Sequence, residues 1–177
     1  IEDVSGKIAD IVSKADCICA HNMPFDFTIL NRQLPGVFGK IKEDMKLDSL
    51  RLSRHVWPAI PSHSLQALRY RFDLDADITG DAHRAMFDSE LARSLVEYIL
   101  HRDIVTPDSW PDLIRYTHSA LEGKGFSCGN HSGKLVEDIA VQDREYIKWL
   151  MRQKWIPSDY PDLYQTLLNK TSKMKKQ

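Results

Sequence analysis

Long apolar runs are missing from this chain. No stretch approaches the roughly 20 residues that a membrane-spanning helix needs, and no secretory leader pattern is visible, so no membrane partner is expected. Cysteine is scarce. Cys17, Cys19 and Cys128 are too few, and odd in number, for a disulfide framework, which favours a reducing compartment and a cytoplasmic location. Net charge is nearly absent too, at −1 from 24 basic and 25 acidic residues. A nucleic-acid substrate would therefore have to be held by a local patch or by metal ions, since there is no bulk field to attract it. Two motifs that would announce a function outright also fail. Cys17, Cys19 and His21 alternate and would share one face of a strand, but no fourth ligand stands at zinc-site spacing, and small residues on a buried strand are the better account. The stretch from Gly129 to Lys134 has one residue too few between its glycines for a phosphate loop, and Leu135 stands where a metal-binding Ser or Thr is required. No internal repeat is evident.

What remains is a globular pattern. The 177 residues, 42% hydrophobic and 28% charged, suit one domain plus an appendage. Val4, Ile8, Ile11 and Val12 recur at helical spacing and predict an amphipathic helix ending near Lys14. Cys17 to Ala20 reads as a short buried strand that stops at His21 and Asn22. Pro24 suits the first turn of a helix carrying Phe25, Ile29 and Leu30, ended by Pro35 and Gly36. A short extended piece from Lys46 leads into a helix from Leu50 to Val56, and Ser62 or Ser64 caps the next. A long helix from about Ala85 to His101 follows the Gly80 turn. This strand and helix alternation with short loops predicts an α/β layer architecture over residues 1–103. Two prolines and two acidic residues mark 104–118 as a connector. Residues 119–177 are expected to form a small accessory module: a glycine-rich hairpin, a helix capped by Asp143, and a polar tail with four lysines.

Two carboxylates stand out because of where their helices would aim them. Asp88 falls at i−4, i−7 and i−11 from Ala92, Leu95 and Ile99, on the apolar stripe of the long helix. An ionised carboxylate facing a core is costly unless it is paired or binds a metal. Asp26 repeats the pattern, at i+3 and i+4 from Ile29 and Leu30. Either acid, taken alone, is accounted for by its place in a first turn, where negative charge favours the helix dipole. His83 is too far from Asp88 along one helix to act beside it, so it belongs to the loop after Gly80.

The ordered motifs change the weighting. Ala20 to Asp26, read as AHNMPFD, resembles the second motif of the DEDD-type 3'–5' exonucleases. His83 to Asp88 resembles their third motif, with the histidine five residues ahead of the aspartate as in the histidine (DnaQ-like) subtype. Asp48 to Arg54 and Ser64 to Leu68 resemble the stretches that family carries between those motifs. Cys128 to Lys134 with Asp143 to Leu150, and Leu52 to Pro58, are similar to the exodeoxyribonuclease X branch of the family.

The resemblance implies an RNase H-like exonuclease core and a metal-dependent 3'–5' exonuclease, releasing nucleoside 5'-monophosphates from DNA 3' ends in repair or replication. Asp26 and Asp88 would hold Mg2+ or Mn2+ in a two-metal site, which suits hard cations and oxygen ligands. His83 would be the general base, its ordinary pKa near 6.5 fitting neutral pH. Asn22 and Phe25 would position a terminal nucleotide, the expected substrate being a single-stranded 3' end; for Phe25, core packing is an equal alternative. The family's first motif, an Asp-x-Glu pair on the first strand, has no counterpart ahead of Asp26. The chain, which begins at Ile1, is therefore expected to be part of a longer enzyme, with an incomplete N-terminal sheet whose open edge favours homodimerisation and with little activity by itself. The alternatives are a catalytically inactive remnant that binds nucleic acid or a partner, and an RNA exonuclease of the same superfamily.

Overall fold

The computed structural model describes residues 2–75, 85–121, 123, 125–126 and 128–174, with the side chains of all of these except 2, 3, 173 and 174. The chain divides into two compact units, Ile1–His118 and Ser119–Gln177.

The first unit opens with helix α1 (Glu2–Lys14), the amphipathic helix the apolar spacing predicts. Its stripe is poorly covered: Val4 is 51% and Ile11 67% exposed. Strand β1 (Ile18–Ala20) then leads into helix α2 (Met23–Gln33), with Pro24 in its first turn. Helix α2 stops at Gln33, just ahead of Pro35, as the sequence suggests. Pro35 then opens a separate single turn, α3 (Pro35–Phe38), because its fixed φ suits a helix start. Strand β2 (Lys46–Asp48) pairs in parallel with β1, Ala20 facing Asp48. Among the described residues these two strands are the whole sheet. The described fold is thus mostly helical with a small parallel sheet, a smaller strand content than the predicted α/β alternation implies.

Helices α4 (Ser49–Val56), α5 (Leu65–Phe72) and α6 (Ala85–His101) complete the scaffold. Of the two serines offered as a cap for α5, Ser64 takes the role, accepting from the Ala67 amide at 3.3 Å. The stripe of α6 is buried as its spacing demands, with Leu91, Leu95 and Ile99 inaccessible to solvent. Each such side chain contributes about 1.5–3 kcal/mol relative to an exposed one. Residues 104–118, expected to be a connector, end in helix α7 (Trp110–His118). Its Leu113, Ile114 and Thr117 are buried, the first two in the same core as Leu52, Leu68 and Leu95. The prolines that suggest a linker are compatible with this helix, because Pro111 falls in its first turn, where a missing N–H costs nothing.

In the second unit, the expected hairpin reduces to one antiparallel bridge between Gly125 and Leu135. Gly129 and Gly133 take left-handed φ values of 72° and 81° within the intervening turn, and a side chain at Gly129 would also overlap the Tyr146 hydroxyl. Four helices follow in place of one: α8 (Val136–Gln142), α9 (Arg144–Met151), α10 (Ile156–Asp159) and α11 (Pro161–Met174). They close on a core that includes Phe126, Ile139, Leu150, Ile156 and Leu167. Asp143 caps α9 through the Tyr146 amide at 3.0 Å.

Candidate active site

The site is assembled where β1 ends. The chain leaves Ala20, passes through His21 and enters α2 at Asn22, whose left-handed backbone (φ 79°) begins the helix. The Asn22 amide donates to Asp48 Oδ1 at 3.2 Å. That same oxygen accepts from the Leu50 amide at 2.9 Å and the Arg51 amide at 3.2 Å. One buried carboxylate therefore caps α4 and fixes the turn into α2.

His21 braces the same turn from the other side. Its Nε2 lies 2.9 Å from the His63 carbonyl, which can only accept, so Nε2 carries the proton. Nδ1 is then the acceptor for the Ser49 hydroxyl at 3.0 Å. Burial pushes the His21 pKa below its ordinary value, a shift only partly offset by the His63 carbonyl and the Asp48 charge. His63 in turn donates Nδ1–H to the Ser53 hydroxyl at 3.0 Å, because that hydroxyl spends its own proton on the Leu50 carbonyl. Burial lowers the His63 pKa as well. The chain His21–His63–Ser53 ties β1 to α4 and to the segment before α5.

Asp26, in the first turn of α2, and Asp88, in the first turn of α6, both line one open cavity of about 530 Å³. His21, Phe25, Leu65 and Ser89 are among its other walls. Oδ1 of Asp88 is buried and has no hydrogen-bond partner among the described residues. Such an atom is destabilising as it stands, by about 1–3 kcal/mol. Phe25 is 63% exposed, which overturns core packing as its explanation. Asn22 is exposed at the neighbouring turn, with no capping bond from its side chain. His83 lies outside the described residues, as does the loop expected to carry it.

Among the described residues, no group of three or more His, Cys, Asp or Glu side chains is placed to hold a metal. The two-carboxylate donor set nevertheless suits a hard divalent cation. Its oxygens are of the right kind, and an orphaned, buried carboxylate oxygen is a position that a cation would satisfy. In the sequence, His21 has no site role beyond its place in the motif. The one available signal is its alternation with Cys17 and Cys19, which aims all three along one face of the strand.

The chain matches the exonuclease (RNase T) family over residues 1–95. It is 26% identical over 149 residues to exodeoxyribonuclease 10 of Escherichia coli (strain K12), an alignment covering 84% of this chain and 61% of that protein. It is 33% identical over 75 residues to the PolC-type DNA polymerase III of Listeria monocytogenes, covering 42% of this chain and 5% of the polymerase. With the PolC-type enzyme of Halalkalibacterium halodurans it shares 31% identity over 117 residues, 63% of this chain and 8% of that one. The chain thus spans about three fifths of the exodeoxyribonuclease it resembles. No solved structure matches it.

Proposed function

The chain belongs to the exonuclease family, and from that membership we propose that its first unit carries the second and third motifs of a metal-dependent 3'–5' exonuclease. It would act on single-stranded DNA 3' ends and release nucleoside 5'-monophosphates. The observation that carries this reading is the convergence of Asp26 and Asp88 on one cavity, from helices more than fifty residues apart in sequence. The buried, unpartnered oxygen of Asp88 supports it.

In this reading Asp26 and Asp88 hold Mg2+ or Mn2+, which supplies positive charge against the scissile phosphate and the departing 3' oxygen. His83 takes the proton from the attacking water and so must be neutral when water attacks. Phe25 offers an exposed ring on the cavity wall for the terminal base. The Asn22 side chain, exposed one turn away, is available to hydrogen-bond the same nucleotide. His21 does different work. Both of its ring nitrogens are engaged, so it holds the turn that aims Asp26 and takes no proton itself.

Residues 1–177 supply two of the four carboxylates that the family resemblance calls for. The test therefore assays 5'-labelled single-stranded DNA with Mg2+ or Mn2+, using this chain and the same chain joined to an N-terminal Asp-x-Glu strand. We expect 3' shortening and mononucleotide release from the joined form. That release should be lost on Asp26→Asn, Asp88→Asn or His83→Ala with folding intact. Release that survives both aspartate substitutions, or none from either form, overturns the assignment; faster release from an RNA strand moves the substrate to RNA.

A further inference from the structure

The two units differ in charge. Residues 119–177 carry ten Lys and Arg against seven Asp and Glu, whereas residues 1–118 carry fourteen against eighteen. Four of those ten, Lys170, Lys173, Lys175 and Lys176, stand at the C-terminal end, and three others, Lys148, Arg152 and Lys154, flank the unit's most exposed indole in sequence. Trp149, on the outer face of α9, is 51% exposed. Lys148 precedes it and Arg152 follows three residues later, one turn along the same face. Arg152 and nearby Lys154 are exposed and have no ion pair among the described residues. Glu145, one turn before Trp149, is paired with Lys148 at 2.7 Å.

The indole is backed by a ladder of rings. Phe126 lies in the core with His131 and Tyr146 each 6.0 Å from it, and these two rings meet edge to face at 4.6 Å. Tyr146 then lies 5.6 Å from Trp149 at an interplanar angle of 34°. His131 is held at Nε2 by the Asp143 carboxylate at 3.0 Å. A surface indole held this way loses little conformational freedom when a flat ligand stacks on it. That arrangement is wasteful for a solvated helix face, because leaving a Trp half in water forgoes its burial. It is well suited to a ligand that is both flat and anionic.

We propose that the α9 face of the second unit is a single-strand nucleic-acid platform, with Trp149 stacking on a base and Lys148, Arg152 and Lys154 tracking the phosphates. The surface shares no residue with the cavity of Asp26 and Asp88, and the binding does not depend on hydrolysis. The chemistry is sequence-tolerant, since every base has a face to stack and every linkage a charge.

The full 177-residue chain is titrated with a fluorescently labelled oligothymidylate in EDTA, so that no strand is degraded and failure of the nuclease reading cannot affect the result. Trp149→Ala should weaken binding by about fivefold or more, while Trp149→Phe should retain most of it. Lys148→Glu with Arg152→Glu should lower the slope of log affinity against log salt by about 1.4, at about 0.7 per lost phosphate contact on a single strand. An abasic strand of equal length should bind more weakly than oligothymidylate, and polyglutamate should compete poorly. Unchanged affinity in a folded Trp149→Ala variant overturns the proposal. So does equal binding of the abasic strand or equal competition by polyglutamate, either of which would reduce the surface to a charged patch that also suits an acidic protein.

Discussion

Replacing Asp88 with alanine should stabilise the protein when no divalent ion is present, and destabilise it relative to the parent when one is. The parent buries Asp88 Oδ1 without a partner, at a cost of about 1–3 kcal/mol. Against that stands the attraction of a first-turn acid for the helix dipole, about 0.3–1 kcal/mol, while alanine is the better helix former by up to about 0.7 kcal/mol. The balance favours the variant by roughly 1–2 kcal/mol, or about 3–8 °C in melting temperature for units of this size. Divalent ions reverse the order. A cation bound only by the folded parent adds about 2.7 kcal/mol at a hundred times its Kd, and the variant, lacking the carboxylate, gains much less. Thermal melts of both proteins in EDTA and across a Mn2+ titration into the millimolar range should therefore cross. A variant that melts below the parent in EDTA would refute the claim that Asp88 is held against its own desolvation. Parallel responses to Mn2+ would refute its role in holding a cation.

The bracing around the site makes two further predictions. His21 and His63 both have pKa values lowered by burial. The unfolded chain therefore takes up protons first as pH falls through their ordinary value of 6.5, so stability is level above that point and declines below it. Urea midpoints measured from about pH 8 down to about pH 5 should show this decline, and His21→Asn should flatten part of it; a constant midpoint would exclude buried neutral histidines. Asp48→Ala orphans three backbone amides that share one oxygen and should cost about 2–4 kcal/mol. Asp48→Asn, which keeps an acceptor, should lose markedly less by the same denaturation measurement.

What was legible in the sequence is what neighbouring residues decide among themselves. The apolar spacing of α1 and α6, the Pro24 start of α2 and the Asp143 cap of α9 are local features, and the structure has them. Helix α7 was not legible, because two prolines and two acids describe a linker as well as a helix start. Only the burial of Leu113 and Ile114 against distant residues decides between them. The site divides in the same way. The inward aim of Asp88 follows from its own helix, but its sharing a cavity with Asp26 depends on both helices packing against β1. The environment of His21 is further from reach, since its partners stand 28 and 42 residues away.

Several locally costly features gather at and beside the cavity. A fold selected for stability alone would bury Phe25, which would gain about 1.5–3 kcal/mol, and would give Asp88 Oδ1 a donor. It would have no use for a non-glycine residue in the left-handed region at Asn22, a conformation that costs about 1–2 kcal/mol for most side chains and less for Asn. The fold does supply what these residues need nearby: Asp48 meets the Asn22 amide, and His21 is fully hydrogen-bonded. It leaves Phe25 in solvent and Asp88 unpaired on the wall of the same cavity. Departures of this kind, placed together on a well-braced scaffold, are expected where the missing interaction is made with a ligand, because the energy forgone in the free protein is recovered on binding.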